Sequence, residues 1–217
     1  KGSMSYNDNG TYTYTPDSNV NGNDSFIITI SDGTVDTTQI VNVTINAVND
    51  APVLTASSNF TTDEDTLSSA MNFAYSDVDG DELTYSFSDP AKGSVSYNDN
   101  GTYTYTPDSN VNGNDSFTIT VSDGTVDTTQ TVNVTINTVN DAPVLTTASN
   151  FTTDEDTLSS AMNFAYSDVD GDELTYSFSD PEKGSLSYND NGTYTYMPDS
   201  NVNGNDSFTL TVSDGTV

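Results

Sequence analysis

Apolar side chains alternate with small or polar ones along most of this 217-residue chain. The alternation is clear at Met71, Phe73 and Tyr75, and again at Phe117, Ile119 and Val121. A period of two residues is typical of a β strand with one buried face, whereas a helix repeats every 3.6 residues. The pattern therefore predicts strands and no helix. Further strands are predicted around residues 53–54, 83–87, 95–97, 103–105 and 132–136.

Turn residues separate these runs. The sequence Asn98-Asp99-Asn100-Gly101 joins two of them, and Asn-Gly readily adopts the positive φ angles of a tight hairpin. Asp123-Gly124 does the same before the last run. Asp8, Asp99 and Asp190 are accordingly interpreted as hairpin turn residues. About seven short strands in about 90 residues predict an all-β, immunoglobulin-like Greek-key sandwich.

The sandwich is predicted to occur more than once, because the sequence repeats with a period of 91 residues. Tyr6, Tyr97 and Tyr188 occupy the same local sequence. We expect the later part of one repeat at residues 1–49, a complete repeat at 50–140 and a third at 141–217 that stops before its last strand. Such limits favour an excerpt from a longer linear array.

Charge narrows the possible partners. The chain has 33 acidic side chains, three lysines and no arginine, for a formal charge of −30. Nothing here could neutralise phosphates, which excludes nucleic acid as a partner. Disorder is an alternative for so acidic a chain, but the regular aromatic and Val/Ile alternation favours folding. No run of about 18 apolar residues is present, so no membrane insertion is expected in this stretch.

Self-repulsion in such a chain implies that cations neutralise part of the charge. Asp77, Asp79 and Asp81 alternate around Gly80 between two predicted strands, where a loop can gather their oxygens. Carboxylate and carbonyl oxygens at flexible geometry suit Ca²⁺, whereas Zn²⁺ prefers the imidazole and thiolate groups that this chain lacks. Calcium is therefore the predicted ion, with Asp63 a weaker candidate ligand.

At these residues the chain resembles the cadherin-like tandem repeats of giant bacterial surface adhesins, including RTX-type proteins exported by type I secretion. The resemblance covers the whole chain. It rests on Val-Asn-Asp-Ala-Pro-Val (48–53), Asp-Glu-Asp-Thr (63–66), Ser-Asp-Val-Asp-Gly-Asp (76–81), Gly-Thr-Tyr-Thr-Tyr-Thr-Pro-Asp (101–108), and Asn-Asp-Ser-Phe ending in Val-Ser-Asp-Gly (114–124).

The resemblance implies that Ca²⁺ lies between successive repeats, on the bacterial cell surface. Alanine or threonine replaces one linker aspartate of the cadherin pattern, so one or two ions per junction are expected. The implied ligands of the first junction are Asn49, Asp50, Asp77, Asp79 and Asp123, with Asp17 as a further candidate and the glutamate lying upstream of Lys1. Those of the second are Glu64, Asp108, Asn140, Asp141, Asp168, Asp170 and Asp214, and Glu155 and Asp172 are included as the repeats of Glu64 and Asp81.

The leading functional hypothesis is a structural extender of a cell-surface adhesin that Ca²⁺ stiffens at the junctions between neighbouring repeats. The alternative is an adhesive or filament-forming module that binds another copy or a surface glycan. Tyr12, Tyr14, Tyr103 and Tyr105 are its candidate surface, although the alternation places them on one face, where core packing is the stronger explanation. An enzyme is not expected, because histidine, cysteine and arginine are absent and every acidic cluster has a ligand role.

Overall fold

A computed structural model describes residues 1–56, 59–98, 100–146, 150–189 and 192–216. All regular structure among these residues is β, which confirms the all-β prediction. Asp99 and Asp190, predicted as turn residues, lie outside the described residues. Asp8 lies in a turn that Asn7 and Thr11 close, with a backbone hydrogen bond of 2.8 Å from the Asn7 N–H to the Thr11 carbonyl.

The first part of the chain forms two antiparallel hairpins. Tyr12 in this region is 42 % exposed, and Ile30 is 71 % exposed. The strands are β1 (Gly2–Tyr6), β2 (Tyr12–Pro16), β3 (Gly22–Ser31) and β4 (Asp36–Ile45).

The central part of the chain contains eight strands, one more than the alternation predicts. The prediction missed Asn59–Asp63, because only Phe60 and Thr62 of that segment point inward and threonine is polar. The strands are β5 (Val53–Ala56), β6 (Asn59–Asp63), β7 (Met71–Ser76), β8 (Thr84–Phe87), β9 (Gly93–Asn98), β10 (Thr102–Pro107), β11 (Gly113–Ser122) and β12 (Asp127–Asn137).

These eight strands form two four-stranded sheets with the orders β5-β7-β10-β9 and β6-β12-β11-β8. The non-consecutive neighbours produce the predicted Greek-key sandwich. Asn133 and Asn137 on β12 donate side-chain hydrogen bonds to Asn59 and Asp63 on β6, each across 74 residues. Because the separation is constant, β6 runs parallel to β12.

The core of the sandwich contains side chains from both sheets. Tyr103 and Tyr105 on β10 are 0 % exposed, and Phe73 on β7 makes edge-to-face contacts with neighbouring rings. The core interpretation of the Thr-Tyr-Thr-Tyr run is therefore confirmed for this repeat, and its tyrosines are not a binding surface. The other buried core residues are Phe117, Ile119, Val132, Val134 and Ile136.

The last part of the chain repeats, in shorter form, the pairings of the central part that do not involve β6 or β12, and Phe164, Tyr194 and Tyr196 are buried. Its sheets pair β13 with β15, β14 with β18 and β17, and β16 with β19. The strands are β13 (Val144–Leu145), β14 (Met162–Asn163), β15 (Tyr166–Ser167), β16 (Thr175–Phe178), β17 (Gly184–Asn189), β18 (Thr193–Pro198) and β19 (Leu210–Ser213).

The chain divides into two compact units. One contains residues 1–62, 66–107 and 113–136, and the other contains 63–65, 108–112 and 137–217. The loops 63–65 and 108–112 thus belong to the same unit as the chain from Asn137 onward. Each acidic loop, with the linker before it, lies inside one unit.

Candidate metal centre

The first acidic loop folds around Asp77. Its Oδ1 atom accepts hydrogen bonds from the backbone N–H groups of Asp79 at 2.8 Å and Gly80 at 3.2 Å. Gly80 has a φ of +82°, a left-handed conformation that costs little without a Cβ atom. The loop turns back as a result, and carboxylate oxygens of Asp77, Asp79 and Asp81 lie within 4.8 Å of one another.

The second acidic loop has the same geometry 91 residues later. The Asp168 Oδ1 atom accepts hydrogen bonds from the N–H groups of Asp170 at 2.9 Å and Gly171 at 3.2 Å. Oxygens of Asp168, Asp170 and Asp172 again lie within 4.8 Å of one another. The identical local sequences therefore build the same cluster twice.

Each linker folds onto the acidic loop that follows it. The Asp50 N–H donates to Asp79 Oδ2 at 2.7 Å, and Asn49 Nδ2 donates to Asp123 Oδ2 at 2.8 Å. These bonds bring the Asn49-Asp50 linker, the loop after β7 and the turn after β11 to one place. The structure thus brings together the five residues implied for the first junction, whereas the further candidate Asp17 lies exposed in its own loop.

The second linker repeats the arrangement within 0.1 Å. The Asp141 N–H donates to Asp170 Oδ2 at 2.8 Å, and Asn140 Nδ2 donates to Asp214 Oδ2 at 2.7 Å. The corresponding distances of the first junction are 2.7 Å and 2.8 Å. Two independent copies of the sequence therefore reach the same hydrogen-bonding pattern.

The carboxylate of Asp123 is stabilised in its charged form. The Asn49 side-chain amide and the backbone N–H groups of Val126 and Thr125 hold the pKa of Asp123 below its usual range. Hydrogen bonds to a carboxylate favour the ionised state. Asp123 consequently presents an anionic oxygen ligand at neutral pH.

Glu64 is the most buried acidic residue of the second junction, with 2 % of its surface exposed. Its Oε1 atom accepts a hydrogen bond from the Val139 N–H at 2.7 Å, and its Oε2 atom accepts one from Asn112 Nδ2 at 3.4 Å. Glu155, which occupies the same position in the next repeat, is exposed. Of the two glutamates, only Glu64 is therefore held beside a linker in the described part of the chain.

One oxygen in each acidic loop is buried without a hydrogen-bond partner among the described residues. These atoms are Asp77 Oδ2 and Asp168 Oδ2, at equivalent positions in the two repeats. A buried carboxylate oxygen left unpaired is costly, because it has lost water and gained nothing in exchange. A cation at that oxygen would remove the cost. The surrounding carboxylate and carbonyl oxygens are the ligands that Ca²⁺ prefers.

Two other predicted ligands lie elsewhere. Asp108 is exposed in the loop after β10. Asp63 Oδ1 accepts a hydrogen bond from Asn137 Nδ2 at 2.9 Å, so this oxygen ties β6 to the end of β12.

Two polar residues at the second junction, Asn110 and Asn112, were not predicted from the sequence. Asn110 donates from its backbone to Asp65 Oδ1 at 3.1 Å and from Nδ2 to Asp141 Oδ2 at 2.7 Å. Asn112 contacts Glu64 as described above. The only local signal was the unusual asparagine content of residues 108–112, which by itself suggests a turn.

Comparison with protein families adds a second line of information. The model of the bacterial cadherin-like domain matches residues 49–138 and 140–217, and the model of the cadherin-like domain matches residues 1–46. The chain belongs to the bacterial cadherin-like domain family. Cadherin-like domains are typically non-enzymatic and extracellular, and they usually bind Ca²⁺. No helix among the described residues is long and apolar enough to span a membrane.

Several solved structures are similar to this chain at low sequence identity. Mouse protocadherin-24 EC1-3 is 17 % identical, with 96 % of this chain and 85 % of that chain covered and a TM-score of 0.44. An endo-fucoidan hydrolase of glycoside hydrolase family 107 is 21 % identical over 100 % of this chain, with a TM-score of 0.38. The chain spans 35 % of that hydrolase. No curated protein matches the cadherin-like chain.

Proposed function

We propose that this chain is a structural extender of a large bacterial cell-surface adhesin, stiffened by Ca²⁺ at the junctions between its cadherin-like repeats. The repeats are residues 1–49, 50–140 and 141–217. The observation that carries the proposal is the pair of buried, unpartnered oxygens, Asp77 Oδ2 and Asp168 Oδ2, at equivalent places in two acidic loops. The net charge of −30 supports it, because bound cations would offset the self-repulsion.

The residues that would hold the ion come from the linker and the repeat that follows it and, at the second junction, also from the preceding repeat. At the second, these are the linker residues Asn140 and Asp141, the loop aspartates Asp168, Asp170 and Asp172, Asp214 after β19, and Glu64 from the preceding repeat. At the first, they are Asn49, Asp50, Asp77, Asp79, Asp81 and Asp123. Ca²⁺ supplies positive charge and flexible oxygen coordination when bound.

Stiffening follows from linkage. An ion that contacts the linker and the acidic loop together binds the ordered conformation of the junction and not its flexible conformation. Binding therefore stabilises the ordered conformation. Extracellular calcium modules bind with dissociation constants of about 10⁻⁴ to 10⁻³ M. At about 10 mM Ca²⁺ and the tighter end of that range, each site adds roughly 2.7 kcal/mol. That is a large part of the stability of a small domain.

The test combines small-angle X-ray scattering with thermal melting, with and without 10 mM Ca²⁺. We expect Ca²⁺ to lengthen the wild-type particle and raise its melting temperature. Asp168→Ala/Asp170→Ala should lose the part of both effects that the second junction contributes. The matched control is Asp36→Ala/Asp127→Ala, which removes the same number of aspartates, both of them exposed, and leaves both acidic loops intact. A wild-type shape and stability that ignore Ca²⁺ would refute the extender.

The same scattering series tests the alternative of an adhesive or filament-forming module. The tyrosines that this alternative would use for binding are buried in the complete repeat, since Tyr103 and Tyr105 are 0 % exposed. Growth of the particle with protein concentration would favour association between copies. A constant monomeric mass at high concentration would leave the extender.

A further inference from the structure

The loop from Asp108 to Asn112 contacts both the linker and the buried glutamate of the second junction. Asn110 has a left-handed backbone with a φ of 55°. Its N–H donates to Asp65 Oδ1 at 3.1 Å, which fixes the loop, and its Nδ2 then reaches Asp141 Oδ2 at 2.7 Å. A left-handed conformation is several-fold enriched in asparagine, so residue type and geometry agree.

Asn112 makes the second of these contacts. Its Nδ2 donates to Glu64 Oε2 at 3.4 Å, while the Val139 N–H donates to the other oxygen of the same carboxylate at 2.7 Å. Glu64 is 2 % exposed, so its orientation depends on these donors. One loop thereby directs a neutral amide at each of two carboxylates.

An amide in this position orients a carboxylate without adding charge. A bond to one oxygen of Asp141 fixes the side-chain rotamer and directs its remaining lone pairs, so less conformational entropy is lost when an ion binds. An aspartate at position 110 would instead place a like charge at the same oxygen. Groups that hydrogen-bond to metal ligands typically change metal affinity by about 10-fold to 100-fold.

We propose that Asn110 and Asn112 are positioning residues that set the Ca²⁺ affinity of the second junction by orienting Asp141 and Glu64. This inference rests on the proposed function, because it requires Ca²⁺ to bind there. It goes beyond that function because it attributes the Ca²⁺ affinity of the second junction partly to two uncharged side chains that would not themselves contact the ion.

The first repeat provides a matched control. Asn19 and Asn21 occupy the equivalent sequence positions, and Asn19 has the same left-handed backbone, with a φ of 57°. The printed chain has no counterpart of Glu64 or Asp65 for these two residues. Replacing Asn19 and Asn21 therefore removes the same chemical groups without disturbing the second junction.

The experiment is an isothermal titration with Ca²⁺ of the full chain carrying Asp77→Ala/Asp79→Ala, so that the second junction dominates the signal. Adding Asn110→Ala/Asn112→Ala should weaken binding by about 10-fold or more. Adding Asn19→Ala/Asn21→Ala should change it by less than about twofold. The urea midpoint without Ca²⁺ is measured for each variant, and we expect the Asn110/Asn112 pair to keep most of the parental value.

The outcomes separate the two proposals. A parent that binds no Ca²⁺ overturns the proposed function and this inference together. A parent that binds, with unchanged affinity in the Asn110→Ala/Asn112→Ala variant, overturns the positioning role alone. The positioning role is also overturned if the Asn110→Ala/Asn112→Ala variant has a much lower calcium-free urea midpoint and this loss of stability accounts for all of its lost affinity. Asn110→Asp should also weaken binding, and tighter binding would show that position 110 contacts the ion directly.

Discussion

Residues 59–64 and 150–155 have the same six-residue sequence and different structures. The first segment forms β6, which lies beside β12, and ends in the buried Glu64. The second lies outside any strand and ends in the exposed Glu155. Among the described residues, no strand equivalent to β12 lies beside 150–155.

The residues that follow do not show this difference. The Ser68 N–H donates to the Tyr105 carbonyl at 2.9 Å, and the Ser159 N–H donates to the Tyr196 carbonyl at 2.9 Å. These contacts involve strands present in both repeats. The serine contacts therefore form in both repeats because both contain their partner strand, whereas β6 and the buried Glu64 depend on β12 and the linker that follows it.

The largest expected difference concerns the two glutamates. Glu64→Ala removes the charged acceptor of the Val139 N–H, and a hydrogen bond to a charged group contributes about 1.5–3 kcal/mol. It should also abolish most of the Ca²⁺-dependent stabilisation at the second junction. Glu155→Ala should stay within about 0.5 kcal/mol, as exposed substitutions usually do. Urea unfolding of both variants, with and without 10 mM Ca²⁺, measures the contrast.

Equal effects of the two substitutions would contradict this explanation. If Glu64→Ala were as mild as Glu155→Ala, the buried position of Glu64 would contribute nothing. If Glu155→Ala were as damaging, the exposed segment would have an energetic role that its structure does not show.

Replacing Ser68 or Ser159 by alanine should lower the stability of its own repeat by a similar amount, unlike the two glutamate substitutions. Ser68 Oγ accepts a hydrogen bond from the Tyr105 N–H at 2.8 Å, and Ser159 Oγ accepts one from the Tyr196 N–H at 2.9 Å. Alanine at either position leaves a buried N–H unpaired, so each substitution should cost about 1–2 kcal/mol in its own repeat. Hydrogen exchange at Tyr105 and Tyr196 reads the two repeats separately. A cost confined to one of them would break the proposed equivalence.

The smallest expected effect is a shared dependence on pH. Burial raises the pKa of Asp115, but hydrogen bonds from the Tyr105 hydroxyl and the N–H groups of Lys92, Ser116 and Ala91 outweigh it, and the net pKa is lowered. A lowered pKa stabilises the folded state above the unfolded value of about 3.9, and this contribution is lost as pH falls through the folded pKa.

Its measurement is a series of calcium-free melts between pH 3 and pH 7. Asp115→Asn should flatten the acid side of the curve by a similar amount to Asp206→Asn, whose carboxylate has the same kind of partners in the next repeat. At alkaline pH, burial and the Asp206 hydrogen bond raise the pKa of Tyr196 to about 12. That contribution is complete below about pH 10 and is lost as pH rises through 12.

Most of the fold could be predicted from the alternation of side chains. Phe117, Ile119 and Val121 all lie on β11 with at most 2 % exposure, as a period of two predicts. The same rule missed β6, because Thr62 points inward as a polar residue and gives no apolar signal. Burial of a threonine depends on neighbouring strands, which a local pattern does not contain.

The acidic loops could be located from the sequence, but their environment could not. Asp77, Asp79 and Asp81 gather as their spacing predicts, since the loop is short and Gly80 allows the turn. The roles of Asn110 and Asn112 depend on carboxylates at least 31 residues away in the chain. Nothing in a short stretch of sequence indicates such a meeting.

The parallel pairing of β6 and β12 has a consequence for mechanical load. The chain enters the complete repeat just before β5 and β6, and it leaves directly after β12. A pull on the two ends therefore draws these neighbouring strands past each other along their length. The force then acts in shear on all the hydrogen bonds between the two strands at once, so these bonds do not break one after another. Such a geometry resists tension applied along the chain.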